Sequence, residues 1–177
     1  ITDGGQYLYQ QDFSGYMHKV DVDTLKVVET SDSTTGFGAP MEDFAFPYYY
    51  NILNESHQVL GVYCAYLLVS DDIMDNSFTS GYNLSSYLSR YTGASSFVAL
   101  AWAGAGYDEE EDLYYDVFFA LDNANVLWEF DYYEDDGLGF GLIPSTLDLK
   151  YSSMSDTTGN SMVLGDDDNL YLAHFNG

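Results

Sequence analysis

The sequence predicts an all-β fold of antiparallel strands, and three observations support this. Apolar stretches are short, rich in Val, Leu, Phe and Tyr, and bounded by Gly, Asp, Asn or Ser. Helical spacing of apolar residues is confined to 84–91, where Leu84, Leu88 and Tyr91 fall on one face. Similar segments also recur along the chain, which is typical of a fold built from repeated units. We therefore expect one repeat-built domain over 1–177.

Seven segments carry the strand pattern, and the chain's three prolines leave Gly, Asn and Asp to make the turns. A further apolar segment, 59–68, contains Cys64, which we expect to be a small buried residue. Because Cys64 is the only cysteine, the chain can form no intrachain disulfide. The seven predicted strands are 6–12, 16–22, 25–28, 97–102, 113–121, 126–133 and 169–175.

Internal similarity indicates about three repeats of roughly 54 residues each. Residues 1–15 resemble 163–177 at an offset of 162, and 9–21 resemble 119–131 at an offset of 110. In the second alignment Asp12 falls on Asp122. A Thr-Gly step also precedes a strand in each repeat. These steps are Thr35-Gly36, Thr92-Gly93 and Thr158-Gly159.

Two of the repeated segments resemble β-propeller blades. FFALDNANVLWEFD (118–131) is similar to the quinoprotein-type blade, and LYQQDFSGYMHKVDVDT (8–24) is similar to blades of surface-exposed bacterial propellers. The resemblance implies four-stranded antiparallel blades arranged in a ring. Because about three blades cannot close a ring, the chain would be a fragment of a larger propeller or be completed by a second copy. The alternative fold is a β-sandwich. Quinoprotein activity is not implied, because four basic residues cannot supply that cofactor site.

The charge of the chain narrows its possible partners. The chain has 29 Asp and Glu residues but only four Lys and Arg residues, which gives a formal net charge of -25. Such a surface repels nucleic acid and anionic membranes, and no apolar run is long enough to span a bilayer as a helix. At the same time 46% of the residues are hydrophobic, so the chain is not a disordered acidic tail. We expect an extracellular or cell-surface protein.

Acidic turns suggest calcium as the one possible cofactor, because calcium takes six to eight oxygen ligands. The first choice is the turn Asp166, Asp167, Asp168 and Asn169. No acidic cluster matches the EF-hand loop pattern. The competing interpretation is that these clusters are solvated turns between strands.

Tyrosines are the better candidates for partner binding, whether the partner is a protein or a carbohydrate. Adjacent tyrosines in a strand point to opposite faces, so one ring of each pair can face solvent and stack on a sugar or fill a partner's pocket. The competing interpretation is that these rings pack between blades. The candidates are Tyr48, Tyr49, Tyr114 and Tyr132.

No catalytic set is evident in the sequence. The histidines His18, His57 and His174 are far apart and lack metal-binding spacing. We therefore expect a non-enzymatic binding module. The alternatives are a fragment of a carbohydrate-active propeller enzyme, which would use two carboxylates, and a structural subunit of an extracellular assembly. A second copy of the chain, in a homo-oligomer, is a further candidate partner.

Overall fold

The all-β prediction is confirmed by the computed structural model, in which antiparallel strands dominate. Thirteen strands and two short helices are described. The residues that the structure describes are 5–35, 40–53, 57–78, 80–133, 137–146, 161–167 and 169–173.

The strands follow one another along the chain with few interruptions. All seven predicted strands are present, although their ends shift by several residues. The strands are β1 Tyr7–Gln11, β2 Tyr16–Asp21, β3 Lys26–Thr34, β4 Asp43–Ala45, β5 Val59–Tyr63, β6 Tyr66–Ser70, β7 Ser80–Asn83, β8 Phe97–Asp108, β9 Leu113–Asp122, β10 Val126–Tyr133, β11 Gly137–Thr146, β12 Ser161–Leu164 and β13 Leu170–Ala173.

The two helices are α1, Tyr48–Leu53, and α2, Ser85–Tyr91. The helical spacing at 84–91 is confirmed by α2, where Leu84 and Leu88 are fully buried while Tyr91 is largely exposed. Within the described ranges, no helix is long and apolar enough to cross a membrane.

Each sheet is an antiparallel meander, in which every strand pairs with its neighbours in sequence. The first sheet is β1–β3, the second β4–β7, the third β8–β11 and the fourth β12–β13. The described strands form four sheets, and both the β-propeller and its alternative, a β-sandwich, stay predictions.

The sheets stack face to face, and each gap between them is filled by apolar side chains. Along β9, Phe118 packs toward the second sheet, whereas Leu121 packs toward the fourth. The second sheet, and the third sheet over 97–101 of β8 and 118–122 of β9, are therefore covered on both faces, which explains the nearly continuous apolar sequences there. Trp128 and Phe130 lie at the centre of the largest core cluster.

Segment 59–68 is a hairpin and not a single strand. β5 and β6 pair across a turn at Tyr63–Tyr66, in which Cys64 has a φ of 50°. The prediction that Cys64 is buried is wrong, because a residue at the tip of a hairpin projects away from the sheet and Cys64 is exposed. None of the usual turn residues marks this turn in the sequence.

The alignment of 9–21 with 119–131 is confirmed at the level of individual hydrogen bonds. In the β1–β2 turn, Asp12 Oδ1 accepts the backbone N–H groups of Ser14 and Tyr16. In the β9–β10 turn, Asp122 Oδ1 accepts the backbone N–H groups of the residues two and four positions later. The second carboxylate oxygen lies 3.2 Å from His18 Nε2 in one turn and 2.9 Å from Trp128 Nε1 in the other.

One carboxylate joins the first strands of three successive sheets. Asp43 in β4 accepts the backbone N–H of Leu100 in β8 at 3.0 Å and that of Met162 in β12 at 3.3 Å. It also accepts its neighbour's N–H, from Phe44. Burial raises the pKa of the Asp43 carboxyl to about 7, although these three donors favour its charged form.

Candidate functional site

The third sheet and α1 together carry a surface with exposed aromatic rings, which we call the ledge: residues 102–108 at the end of β8, residues 113–116 at the start of β9, and Tyr48 at the start of α1. β8 and β9 pair along this length, with an irregularity between Trp102 and Gly104. Residues 103–106 read Ala-Gly-Ala-Gly, and Tyr115 of β9 lies where a side chain on Gly106 would be, since a Cβ built there would come 2.2 Å from its ring. Small residues in β8 thus leave room for tyrosines from β9.

Four exposed aromatic side chains lie on one side of the ledge. Tyr107 and Tyr114 are partners in the β8–β9 register, and their ring centroids are 4.9 Å apart. Tyr48, at the start of α1, lies 5.7 Å from the ring of Trp102. The exposed fractions are 55% for Tyr48, 37% for Trp102, 45% for Tyr107 and 44% for Tyr114. The exposed parts of these rings can contact a ligand.

Hydrogen bonds fix the orientation of two of these rings. Trp102 Nε1 donates to Asp116 Oδ1 at 2.7 Å, and Asp116 is fully buried. The Tyr107 hydroxyl donates to Asp112 Oδ1. At these two rings the polar atom is held by the protein, which lowers the entropy lost when a ligand stacks on them.

The turn between β8 and β9 is acidic throughout, and we call residues 108–112 the acidic tip. Its sequence is Asp-Glu-Glu-Glu-Asp. Asp108 Oδ1 accepts the backbone N–H groups of Glu110 and Glu111, which fixes the course of the turn. Asp112 has a φ of 59°, a left-handed conformation that aspartate tolerates. The acidic tip directly adjoins Tyr107 and Tyr114.

The opposite side of the ledge is also rich in tyrosine and carboxylate. Tyr115 and Tyr133 lie 5.3 Å apart between ring centroids. Burial, followed by the nearby charges of Glu129 and Asp108, raises the pKa of Asp131. Burial and the same cluster of carboxylates raise the pKa of both tyrosines. Negative charge is therefore concentrated at this end of the third sheet.

Of the four predicted tyrosines, the structure places Tyr48 and Tyr114 at the ledge. Tyr48 and Tyr49 lie in α1, so the prediction that they sit in a strand is wrong. Tyr132 is only 4% exposed, and its hydroxyl donates to Gln58 Oε1 at 2.6 Å. The prediction that Tyr132 faces a partner is wrong, because the second sheet covers that face of β10.

Sequence reasoning missed Trp102 and Tyr107 as surface residues. The predicted strand ended at Trp102, whereas β8 continues to Asp108. The run of four small residues between Trp102 and Tyr107 was the signal for this, since such a run marks a strand that a neighbouring strand's large side chains cover.

The predicted calcium turn lies between β12 and β13, and Asp168 falls outside the described residues. Asp167 Oδ2 accepts hydrogen bonds from the Asn169 amide and the Tyr171 hydroxyl, both at 2.8 Å. Hydrogen bonding from Asn169, and then from Tyr171, lowers the pKa of Asp167. Among the described residues, no three acidic, His or Cys side chains form a group that could hold a metal ion. Calcium binding here stays a prediction.

If calcium binds this turn, millimolar calcium should raise the melting temperature by roughly 5 °C, and a chelator should reverse the rise. Circular dichroism measures both. Asp167→Asn should abolish the rise, whereas Asp23→Asn, in the exposed β2–β3 turn, should leave it unchanged. An unchanged melting temperature in the parent protein would contradict calcium binding.

A shallow groove of about 410 Å³ lies between β3 and the loop that follows β6. Three acidic side chains, Glu29, Asp32 and Asp75, are among its lining residues. The alternative of a carbohydrate-active enzyme requires two convergent carboxylates, and this groove is where that alternative is best examined.

No model of a known protein family matches the chain, and no curated protein matches it in sequence.

Proposed function

We propose that this chain is an extracellular binding module and that the ledge is its binding surface. The observation that carries the proposal is the group of four aromatic side chains, 37% to 55% exposed, on one side of the third sheet. Aromatic residues are enriched where proteins bind partners, because each supplies a large contact area at a low entropic cost. A ligand that covers the ledge would bury all four rings together.

The proposed setting of this surface is a segment of a β-propeller. Its support is the stack of consecutive antiparallel meanders, which is the arrangement of neighbouring blades. Since β1–β2 correspond to β9–β10, the first sheet would supply the second, third and fourth strands of a blade. The fourth sheet would supply the first and second strands of another. Such a segment would be completed by further blades or by a second copy of the chain.

The extracellular location is supported by composition. A net charge of -25 keeps the chain soluble and repels nucleic acid. A chain with a single cysteine also does not require a reducing compartment. The alternative of a structural subunit shares this location. In that case the partner at the ledge would be a neighbouring subunit of the assembly.

Replacing two ledge rings, Tyr48→Ala with Tyr114→Ala, should weaken ligand binding by at least about tenfold, because exposed anchors in an interface each contribute 1 kcal/mol or more. The measurement is binding of the labelled protein to arrays of neutral oligosaccharides and of synthetic peptides of varied charge. Both substitutions leave the Trp102–Asp116 hydrogen bond in place, so the fold should persist.

The matched control is Tyr87→Ala with Tyr91→Ala, which removes two stacked and exposed rings from α2. Because α2 lies beside the start of β8 and the ledge lies at its end, this control should bind as the parent does. If the parent and the Tyr48→Ala, Tyr114→Ala variant bind every array ligand equally well, the proposal is contradicted.

A further inference from the structure

We infer that the ligand of the ledge is a segment of a protein partner rich in Lys and Arg. This inference rests on the proposed function and adds the chemical class of the ligand. It is argued from the rings of the ledge, from the carboxylates beside them and from the distribution of basic residues along the chain.

The rings offer a surface that attracts organic cations. A Lys or Arg side chain over a Trp or Tyr ring is held by the negative potential of the ring face, and Trp is the strongest of these partners. The Nε1–H of Trp102 already donates to the carboxylate of Asp116, so a ligand would contact the exposed part of the ring and not this donor. Elsewhere in this chain Lys19 lies 4.3 Å above the ring of Tyr7, which is the same kind of contact.

The carboxylates beside the rings lie in a stretch of sequence without basic residues. The five carboxylates of the acidic tip adjoin Tyr107 and Tyr114, and Asp131 and Glu129 of the neighbouring strand β10 lie on the opposite face of the same sheet. Between Arg90 and Lys150 the sequence contains no Lys or Arg. A cationic segment would therefore gain both steering and pairing from carboxylates that have no basic neighbour in sequence.

Two other ligand classes fit the ledge less well. A neutral carbohydrate would stack on the rings but would gain nothing from the charge of the acidic tip. Calcium would use the carboxylates, with oxygens at about 2.3 to 2.6 Å, but would gain nothing from four exposed rings. A Lys or Arg side chain uses both, because its stem packs on the ring while its head meets a carboxylate.

The experiment is a titration of the full chain with a short synthetic peptide of alternating Arg and Gly, followed by calorimetry and by Trp fluorescence. A peptide with Gln in place of Arg is the neutral probe. We expect the basic peptide to bind, and its affinity to fall steeply as sodium chloride rises from about 0.05 M to about 0.5 M.

Three variants assign the binding to the ledge. Glu109→Gln, Glu111→Gln and Asp112→Asn together remove three charges from the acidic tip, and the ring variant Tyr48→Ala with Tyr114→Ala removes stacking. Each should weaken binding of the basic peptide by about tenfold or more. Asp23→Asn, Glu29→Gln and Asp32→Asn together remove three charges from exposed positions of the first sheet, and this variant should bind as the parent does. Circular dichroism checks that all three keep the parent fold.

Other outcomes separate this inference from the proposed function. An equal loss in the ledge and first-sheet charge variants would overturn the inference, because binding would then follow net charge alone. If the neutral peptide or a neutral oligosaccharide binds at the ledge and the basic peptide does not, the inference fails while the binding function stands. Displacement of the basic peptide by micromolar calcium would assign the carboxylates to the ion and would overturn the inference as well. If the ledge variants bind every probe as the parent does, both proposals fail.

Discussion

Replacing Asp122 with alanine is expected to lower the free energy of unfolding by about 3 to 5 kcal/mol, the largest loss that we predict for a single polar residue here. The Asp122 side chain is fully buried at the end of β9. Its oxygens accept the backbone N–H groups of Ala124 and Val126 and the Nε1–H of Trp128, each at 2.9 Å. The substitution leaves all three donors without an acceptor, in the strand pair that carries the central core. Chemical denaturation followed by circular dichroism measures the loss.

The chain supplies its own control for this prediction. Asp12 forms the same pair of backbone hydrogen bonds in the β1–β2 turn, but it is partly exposed and lies next to His18. Water can replace its carboxylate, so Asp12→Ala should cost much less than Asp122→Ala. Trp128→Phe, combined with Asp122→Ala in a double-mutant cycle, isolates the indole hydrogen bond. Equal losses at the two aspartates would show that burial does not set the strength of this repeated turn.

The second large effect is a dependence of stability on pH that arises at Asp43. The pKa of this carboxyl is about 7 in the folded protein against a usual value of 3.8, because it is buried between sheets. The folded state therefore binds the proton more tightly than the unfolded state does between these values. It follows that the free energy of unfolding falls as pH rises from about 4 to about 7, and that the contribution of Asp43 is constant above that range.

Asp43→Asn should remove this dependence, because an amide keeps a carbonyl acceptor for Leu100 and Met162 but does not ionise. We expect the variant and the parent to be similarly stable at pH 5, and the variant to be more stable at pH 8 by about 2 to 4 kcal/mol. Thermal unfolding at a series of pH values measures the difference. Asp23→Asn, in an exposed turn, controls for the general relief of charge repulsion. A parallel pH profile for parent and Asp43→Asn would contradict the assignment.

Much of the local structure could be predicted from the sequence, because local spacing determines it. The hairpin of β9 and β10 carries alternating side chains and an Asp-Asn-Ala-Asn turn, and the structure has both strands where they were predicted. The aligned residues Asp12 and Asp122 also accept equivalent hydrogen bonds in the structure. In contrast, the hairpin at Cys64 was missed, because its turn, Tyr63 to Tyr66, contains none of the Gly, Pro, Asn, Asp or Ser residues that usually form turns.

The surface could be predicted only in part. Strand alternation indicates that neighbouring tyrosines face opposite ways, but it does not indicate which side another sheet covers. Tyr132 and Tyr133 illustrate this, since Tyr132 is buried against the second sheet whereas Tyr133 is partly exposed. Tyr48 was placed in a strand, yet it starts a helix whose position brings its ring to Trp102. That pairing joins positions 54 residues apart, and no local pattern encodes it.

The sequence by itself determined the all-β class, the repetition of hairpins and the acidic character of the chain, since each depends on composition or on spacing within a few residues. Only the tertiary structure decided that four rings share the ledge, that Asp122 is buried where Asp12 is not, and that Asp43 joins three sheets. These properties depend on how sheets stack, because stacking sets which face loses its water. Similar side chains therefore become core residues where another sheet covers them, and part of a surface for a partner where none does.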